Sequence, residues 1–268
     1  MKLSLGKWLL PVYSALALLF LMIPIGYTFV YSFNDSLKSN ILWRGFTFDK
    51  WLNVCNVQNG AVCQAFGNSL IIGAIATVAA TTLGTMIAIA IVRYRFKFRS
   101  QTSLLLFLPM ATPEVVLGAG LAAQFLSLGV PKDMLTIILA HTMFCISFVV
   151  VTVKARVASL DPALEEAGRD LYGSAWQVFA RITFPLLLPG ILAAALLSFA
   201  LSFDDFIITN FNSGPVTTFP KYIYISAARG IPAEANVLAS AVFILALVVV
   251  VTVQVSGAAK ARRQAKVS

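Results

Sequence analysis

The chain has 268 residues, of which 59% are hydrophobic and 12% charged, with a formal net charge of +9. Its mean hydropathy of +0.86 lies well outside the range of soluble globular domains, which excludes an ordinary water-soluble enzyme or binding module. The basic residues are scattered along the chain rather than gathered on one soluble face, which argues against nucleic-acid binding and for contact with membrane lipid head groups.

Six stretches are apolar enough to span a bilayer, each needing ~20 residues. They fall at about 8–33, 69–92, 103–127, 134–153, 186–208 and 236–256. The first runs apolar beyond the length of a signal-peptide core. It lacks a clear small-residue cleavage site before Tyr27-Thr28-Phe29, so it reads as a retained anchor. Backbone in lipid must close its hydrogen bonds within a helix. The expected fold is all-α: one polytopic transmembrane domain over residues 1–268 with six spans. Placing the N-terminus inside puts Lys2, Lys7, Arg93, Arg95, Lys97, Arg99, Lys154, Arg156, Arg169, Arg181, Lys260, Arg262, Arg263 and Lys266 on the inner side. Only Lys38, Arg44, Lys50, Lys132, Lys221 and Arg229 then lie outside, so both termini are expected to be cytoplasmic.

The first outer loop, about 34–68, carries Trp43, Phe46, Phe48 and Trp51. They suit an aromatic belt on an interfacial segment, with a short helix starting at Asp49. Cys55 and Cys63 flank an Asn59-Gly60 turn in this loop. A disulfide closing the hairpin and a pair of free thiols both fit that spacing. A metal site does not, because neither His nor a further Cys is near. Cys145 reads as a small core residue. The linker at 94–100 alternates aromatic and basic residues, as snorkelling side chains at an interface do.

Glu114 stands about twelve residues into the third stretch, ~18 Å at 1.5 Å per residue, near the expected midplane. Pro113 before it is expected to loosen the helix. An acidic group at that depth is costly and is by default a functional candidate, the alternative being a structural hydrogen bond or an ion pair to a partner chain. Asp204 and Asp205 come roughly nineteen residues after Pro185, ~28 Å along the helix. That places them at the outer mouth, either meeting a cation or simply solvated. Tyr222 and Tyr224 either line that mouth or anchor at the interface. His141 reads as a packing residue bonded to Thr142 or a backbone carbonyl rather than as a proton relay.

The segment Leu164–Pro189 is a polar, amphipathic insert between two apolar stretches. Asp161 can cap a helix beginning at Pro162, with Glu165 and Glu166 near its positive end. Ala163, Leu164, Ala167, Gly168 and Leu171 then fall on one face, opposite Glu165, Glu166, Arg169 and Asp170. Ser174-x-x-Gln177 has the form of a capping box, opening a second helix that carries Trp176, Phe179 and Ile182 and is expected to end before Pro185.

The run from Glu166 to Pro185 resembles the EAA loop of type I ABC importer permeases, E-A-A-x-x-x-G followed by a stretch ending I-x-L-P. Glu166-Ala167, Arg169-Asp170-Leu171, Trp176-Gln177, Phe179, Ile182-Thr183 and Pro185 match. Gly168 replaces the second alanine, and Tyr172-Gly173 displaces the glycine by one residue, which puts the turn geometry in question. Further segments resemble the smaller permease subunit of spermidine/putrescine importers: SFNDS, LPMATPEVVLG, MLTIILAHTMFC, LSFDDFIITNFNSGP and GIPAEANVLAS.

That resemblance implies the MetI-like permease fold in the cytoplasmic (inner) membrane of a bacterium. It implies a coupling loop at 162–184 seated in an ATPase subunit dimer that binds ATP and Mg. Glu166 would be the main polar contact and Ala167 and Gly168 would allow close approach, with Glu165, Asp170, Gly173 and Pro185 in the same loop. The other implied partners are a second homologous permease and an extracytoplasmic polyamine-binding protein. This chain has no GxxxxGK[ST] loop and no recognisable catalytic set, so ATP hydrolysis is expected elsewhere, with no cofactor or metal of its own. A polyamine path needs acceptors for ammonium groups and apolar or aromatic walls for methylenes, which directs attention to Glu114, Asp204 and Asp205. One rival is an importer of another solute, such as a cationic amino acid or opine, an iron chelate or a sugar. Another is an ion-coupled secondary transporter, which gives the insert no role and favours inverted repeats; a membrane scaffold would leave Glu114 unexplained.

Overall fold

The computed structural model describes residues 5–36, 42–56, 60–228 and 230–264. Lys2, Lys38, Arg229 and Lys266, counted in the charge bias, and Asn59 of the expected turn lie outside the described residues. Helices dominate, and the described residues hold one isolated β-bridge, between Asn34 and Phe46. In chain order the helices are α1 (Leu5–Tyr31), α2 (Asp49–Leu52), α3 (Gly60–Arg93), α4 (Arg99–Ala111), α5 (Glu114–Ser127) and α6 (Met134–Ala158). They continue with α7 (Ala163–Asp170), α8 (Ala175–Val178), α9 (Phe184–Asp204), α10 (Ile207–Asn212), α11 (Phe219–Ala227) and α12 (Ala233–Gln264). Five helical stretches are long and apolar enough to cross a membrane, or six if the bent pair α4–α5 counts as one.

That pair departs from the sequence expectation. The third apolar stretch is two helices meeting at 108°, because Thr112 takes an extended conformation (φ −82°, ψ 133°) immediately before Pro113. Proline disfavours helical backbone in the residue before it, so Pro113 ends one helix and starts another rather than loosening a continuous one.

The chain divides into two compact units. The first comprises residues 1–63 and 223–268, where α12 packs on α1 and α2. Leu9, Leu16 and Phe20 of α1 are exposed, as a lipid-facing helix requires. Lys50 pairs with Glu234 at 3.0 Å, both side chains largely buried, and Trp51 Nε1 donates to Ser32 Oγ at 3.2 Å. Phe33 stacks on Phe46 with ring centroids 5.3 Å apart and on Trp51 at 5.5 Å, so the aromatic residues cluster on one another as well as facing out. Cys55 and Cys63 are disulfide-bonded, with Cα atoms 5.7 Å apart.

The second unit, residues 64–222, is built around α6, whose buried residues run from Thr136 to Val157. α9 lies along it. Lipid tails are as apolar as a side chain, so helix association there depends on close packing of small residues. Ala140, Cys145, Ala194 and Ser198 are fully buried in this unit, and the Cys145 thiol donates to the Ser198 carbonyl at 3.6 Å. The short helix α10 packs on both α5 and α6. Its approach to α5 needs Gly118, where a Cβ would stand 3.2 Å from the Ile208 Cα.

Candidate functional site

Two helix breaks in the second unit bring the predicted carboxylates together. The first is at Pro113, which leaves Glu114 as the first residue of α5. The second is at Asp205, whose backbone is extended (φ −67°, ψ 122°) and ends α9. Between them lies a cleft of about 470 Å³ lined by Glu114, Asp204, Asp205, Phe144, Phe206 and aliphatic residues including Leu197 and Leu201. Glu114 and Asp204 are exposed. Sequence spacing placed Glu114 at mid-helix and Asp204 at a distant helix end. The structure corrects the first of these, because the break at Pro113 makes Glu114 the first residue of α5, whereas Asp204 does end α9.

Asp204 and Asp205 part company. The Asp205 side chain is 5% exposed and is spent within the protein. Its Oδ1 accepts from the Ile208 backbone N–H at 3.2 Å and its Oδ2 from that of Thr209 at 2.7 Å, satisfying donors at the start of α10 that have no helical partner. Nε2 of His141 lies 3.1 Å from the same Oδ2. His141 thus bonds to Asp205 and, through Nδ1, to Ser202 Oγ at 2.7 Å, not to Thr142 or a backbone carbonyl. Asn212 closes α10: its Nδ2 donates to the Gly118 and Ile208 carbonyls, and its own carbonyl accepts from Thr136 Oγ1 at 2.7 Å.

Tyr222 lies on α11, outside the lining of the cleft, while Tyr224 belongs to the first unit, where it is exposed. Lys221 is a clamp on the loop before α11, donating to Ser213 Oγ at 2.6 Å and the Val216 carbonyl at 3.1 Å. Burial pushes its ammonium pKa down. Among the described residues no group of three His, Cys, Asp or Glu is placed to hold a metal ion.

The polar insert folds as two short helices. Asp161 Oδ1 accepts from the Ala163 N–H at 2.9 Å and so caps α7. The Ser174–Gln177 capping box is complete in both directions. The second helix does not end before Pro185, however. It passes through a π-helical turn, Phe179–Thr183, directly into α9, where Pro185 sits within the first two residues. The missing N–H of proline costs little at that position.

The displaced glycine has a structural answer. Tyr172, standing where the pattern has glycine, takes the left-handed conformation itself (φ 59°). Gly173 then packs where a Cβ would come within 2.6 Å of the Gly168 carbonyl oxygen. Gly168 is buried against Val178 and Ile182. Glu165 pairs with Arg93 at the end of α3 at 3.0 Å, whereas Glu166, Ala167 and Asp170 are exposed.

The profile of binding-protein-dependent transport system inner membrane components matches residues 80–263. The chain belongs to that family. Among the inner-membrane components it is similar to, the spermidine/putrescine transport system permease protein PotC of Escherichia coli (strain K12) is 36% identical over 236 residues, covering 88% of each chain. The putrescine transport system permease protein PotI of the same strain is 38% identical over 229 residues, covering 82% of this chain and 80% of that one. A solved bacterial ABC transporter involved in import of the acidic polysaccharide alginate aligns with a TM-score of 0.64 at 16% identity, covering 96% of this chain and 98% of that one. The MetNI methionine ABC transporter aligns with a TM-score of 0.54 at 16% identity, covering 73% and 90%. At such identities the likeness is one of fold, and it is the ABC importer permease fold.

Sequence reading of this permease missed Phe144 and Phe206 as walls of the cleft and the His141–Asp205 pair. One signal was available: an Asp immediately before Phe206-Ile207-Ile208 has the form of a helix cap, which would have separated Asp205 from Asp204.

A residue other than glycine in the left-handed region costs roughly 1–2 kcal/mol. Tyr172 is 99% exposed and has little packing to lose. Tyr172→Gly is therefore expected to raise the apparent thermal midpoint of the purified protein, by roughly 1 kcal/mol of stabilisation. A lowered midpoint would contradict the strain.

Proposed function

We propose that this permease is the membrane subunit of an ATP-driven importer of polyamines, handing spermidine or putrescine inward through the cleft that holds Glu114 and Asp204. The observation that carries the reading is this pairing of two exposed carboxylates with the rings of Phe144 and Phe206 in one cleft. A polyamine is a string of ammonium groups separated by methylenes, and acidic acceptors beside aromatic walls suit both parts. The names of the relatives support the same substrate class.

In this reading both termini and the α7–α8 loop face the cytoplasm, in keeping with the basic bias of the segments assigned there. The loop docks on an ATPase subunit dimer that binds ATP and Mg. Glu166 makes the polar contact with exposed Ala167 beside it. Gly168 is buried and instead lets α7 pack closely on Val178 and Ile182, and Glu165 braces the loop against α3 through Arg93. The π-helical turn joins that loop to α9 without a break, so motion at the loop is passed along α9 toward Asp204. A second homologous permease and a polyamine-binding protein on the outer side complete the assembly.

Losing one charge-assisted hydrogen bond to an ammonium costs a factor of roughly ten or more. Glu114→Gln and Asp204→Asn should each lower uptake of radiolabelled spermidine by about that factor, while basal ATPase activity of the assembled importer persists. Unchanged uptake in either variant would refute the cleft, and uptake that neither polyamine competes would reassign the solute. Glu166→Lys should abolish uptake and substrate-stimulated ATPase activity in a protein that still inserts. Normal transport in that variant would remove the docking role.

A further inference from the structure

We infer that His141 is a positioning residue for the cation cleft: it pins the α9–α10 break so that Asp204 is presented toward Glu114. The inference rests on the cleft reading above. His141 is 1% exposed, and both of its ring nitrogens are engaged across the break. Nδ1 meets Ser202 Oγ in the last turn of α9 at 2.7 Å. Nε2 meets Asp205 Oδ2 at 3.1 Å and Thr209 Oγ1 in the first turn of α10 at 3.0 Å. One imidazole on α6 therefore holds both sides of the point where α9 stops.

The chemistry fits that task. With Nε2 protonated, the ring donates to the Asp205 carboxylate while the Ser202 hydroxyl donates to Nδ1, so each partner is satisfied. A buried carboxylate is tolerated only when paired and hydrogen-bonded. Asp205 has two backbone donors from α10, and His141 is the one that reaches it from another span. The Thr209 hydroxyl also donates back to the Asp205 carbonyl at 3.2 Å. Asp205 is thereby fixed in its extended conformation, and Asp204, one residue earlier, is left facing the cleft. Phe144, one helical turn after His141 on α6, lines the same cleft, so the pin and one wall move as a unit.

The test is uptake by the complete importer, with membrane abundance measured in parallel. His141→Leu keeps the volume and removes both bonds. It should lower spermidine uptake about tenfold, the factor expected for one hydrogen bond to a charged group. His141→Gln retains an N–H that can reach Asp205 and should restore most of the loss. In an Asp204→Asn background, His141→Leu should reduce uptake no further, because residues acting as one unit are not additive. Full activity in His141→Leu, a Gln variant as impaired as the Leu variant, or additive losses in the double variant would each overturn the inference. Should His141→Leu fail to accumulate, Thr209→Val removes the hydroxyl beside Nε2 at near-constant volume. It should give a smaller loss that also vanishes in the Asp204→Asn background, and an additive loss would count against the pin. The two readings separate cleanly. Unchanged uptake in Asp204→Asn refutes the cleft, whereas impaired Asp204→Asn with normal His141→Leu refutes the pin alone.

Discussion

A helix interrupted among other helices exposes backbone donors and acceptors that lipid cannot satisfy, so each interruption needs polar groups brought to it by the protein. The α9–α10 break meets that constraint with a small set of side chains. Asp205 takes the N–H groups of Ile208 and Thr209, and Asn212 ties the other end of α10 to Gly118 of α5. Thr136 of α6 donates to the Asn212 carbonyl. The α4–α5 break is cheaper, since Pro113 has no N–H to satisfy. Remove the polar set and α10 loses its place between α5 and α6; the cleft then loses the wall formed by Phe206 and Ile207.

The adjacent acidic residues show how burial sorts chemically identical groups. Asp205 is enclosed and bonded to donors from its own helix junction and from His141, which makes it part of the framework. Asp204 is exposed in the cleft, which leaves its charge available to a cation. The two glutamates of the polar insert divide in the same way, Glu165 engaged with Arg93 and Glu166 exposed. In both pairs one member maintains geometry and its neighbour faces outward.

Much of this was legible in the sequence because it rests on local rules. The apolar stretches, the Asp161 cap, the Ser174–Gln177 capping box and the start of α2 at Asp49 all follow from neighbouring residues. What was not legible depends on distant contacts. Rise per residue assumes a straight helix, so Glu114 was assigned to mid-helix, whereas the 108° bend puts it at the start of α5 and in one cleft with Asp204. The π-helical turn before Pro185 likewise overrides the usual rule that proline ends a preceding helix, since an altered register lets the backbone run on into α9. His141 could be read as buried, yet its partners lie 61 to 68 residues away and leave no local trace.

The proposed cation site requires Glu114 and Asp204 to share one cleft. It is tested most directly by thiol cross-linking of a Glu114→Cys/Asp204→Cys variant, with Cys145 replaced by Ala, in membranes containing the full importer. A short bifunctional reagent should join the two positions. Failure of the two positions to cross-link would contradict the shared cleft.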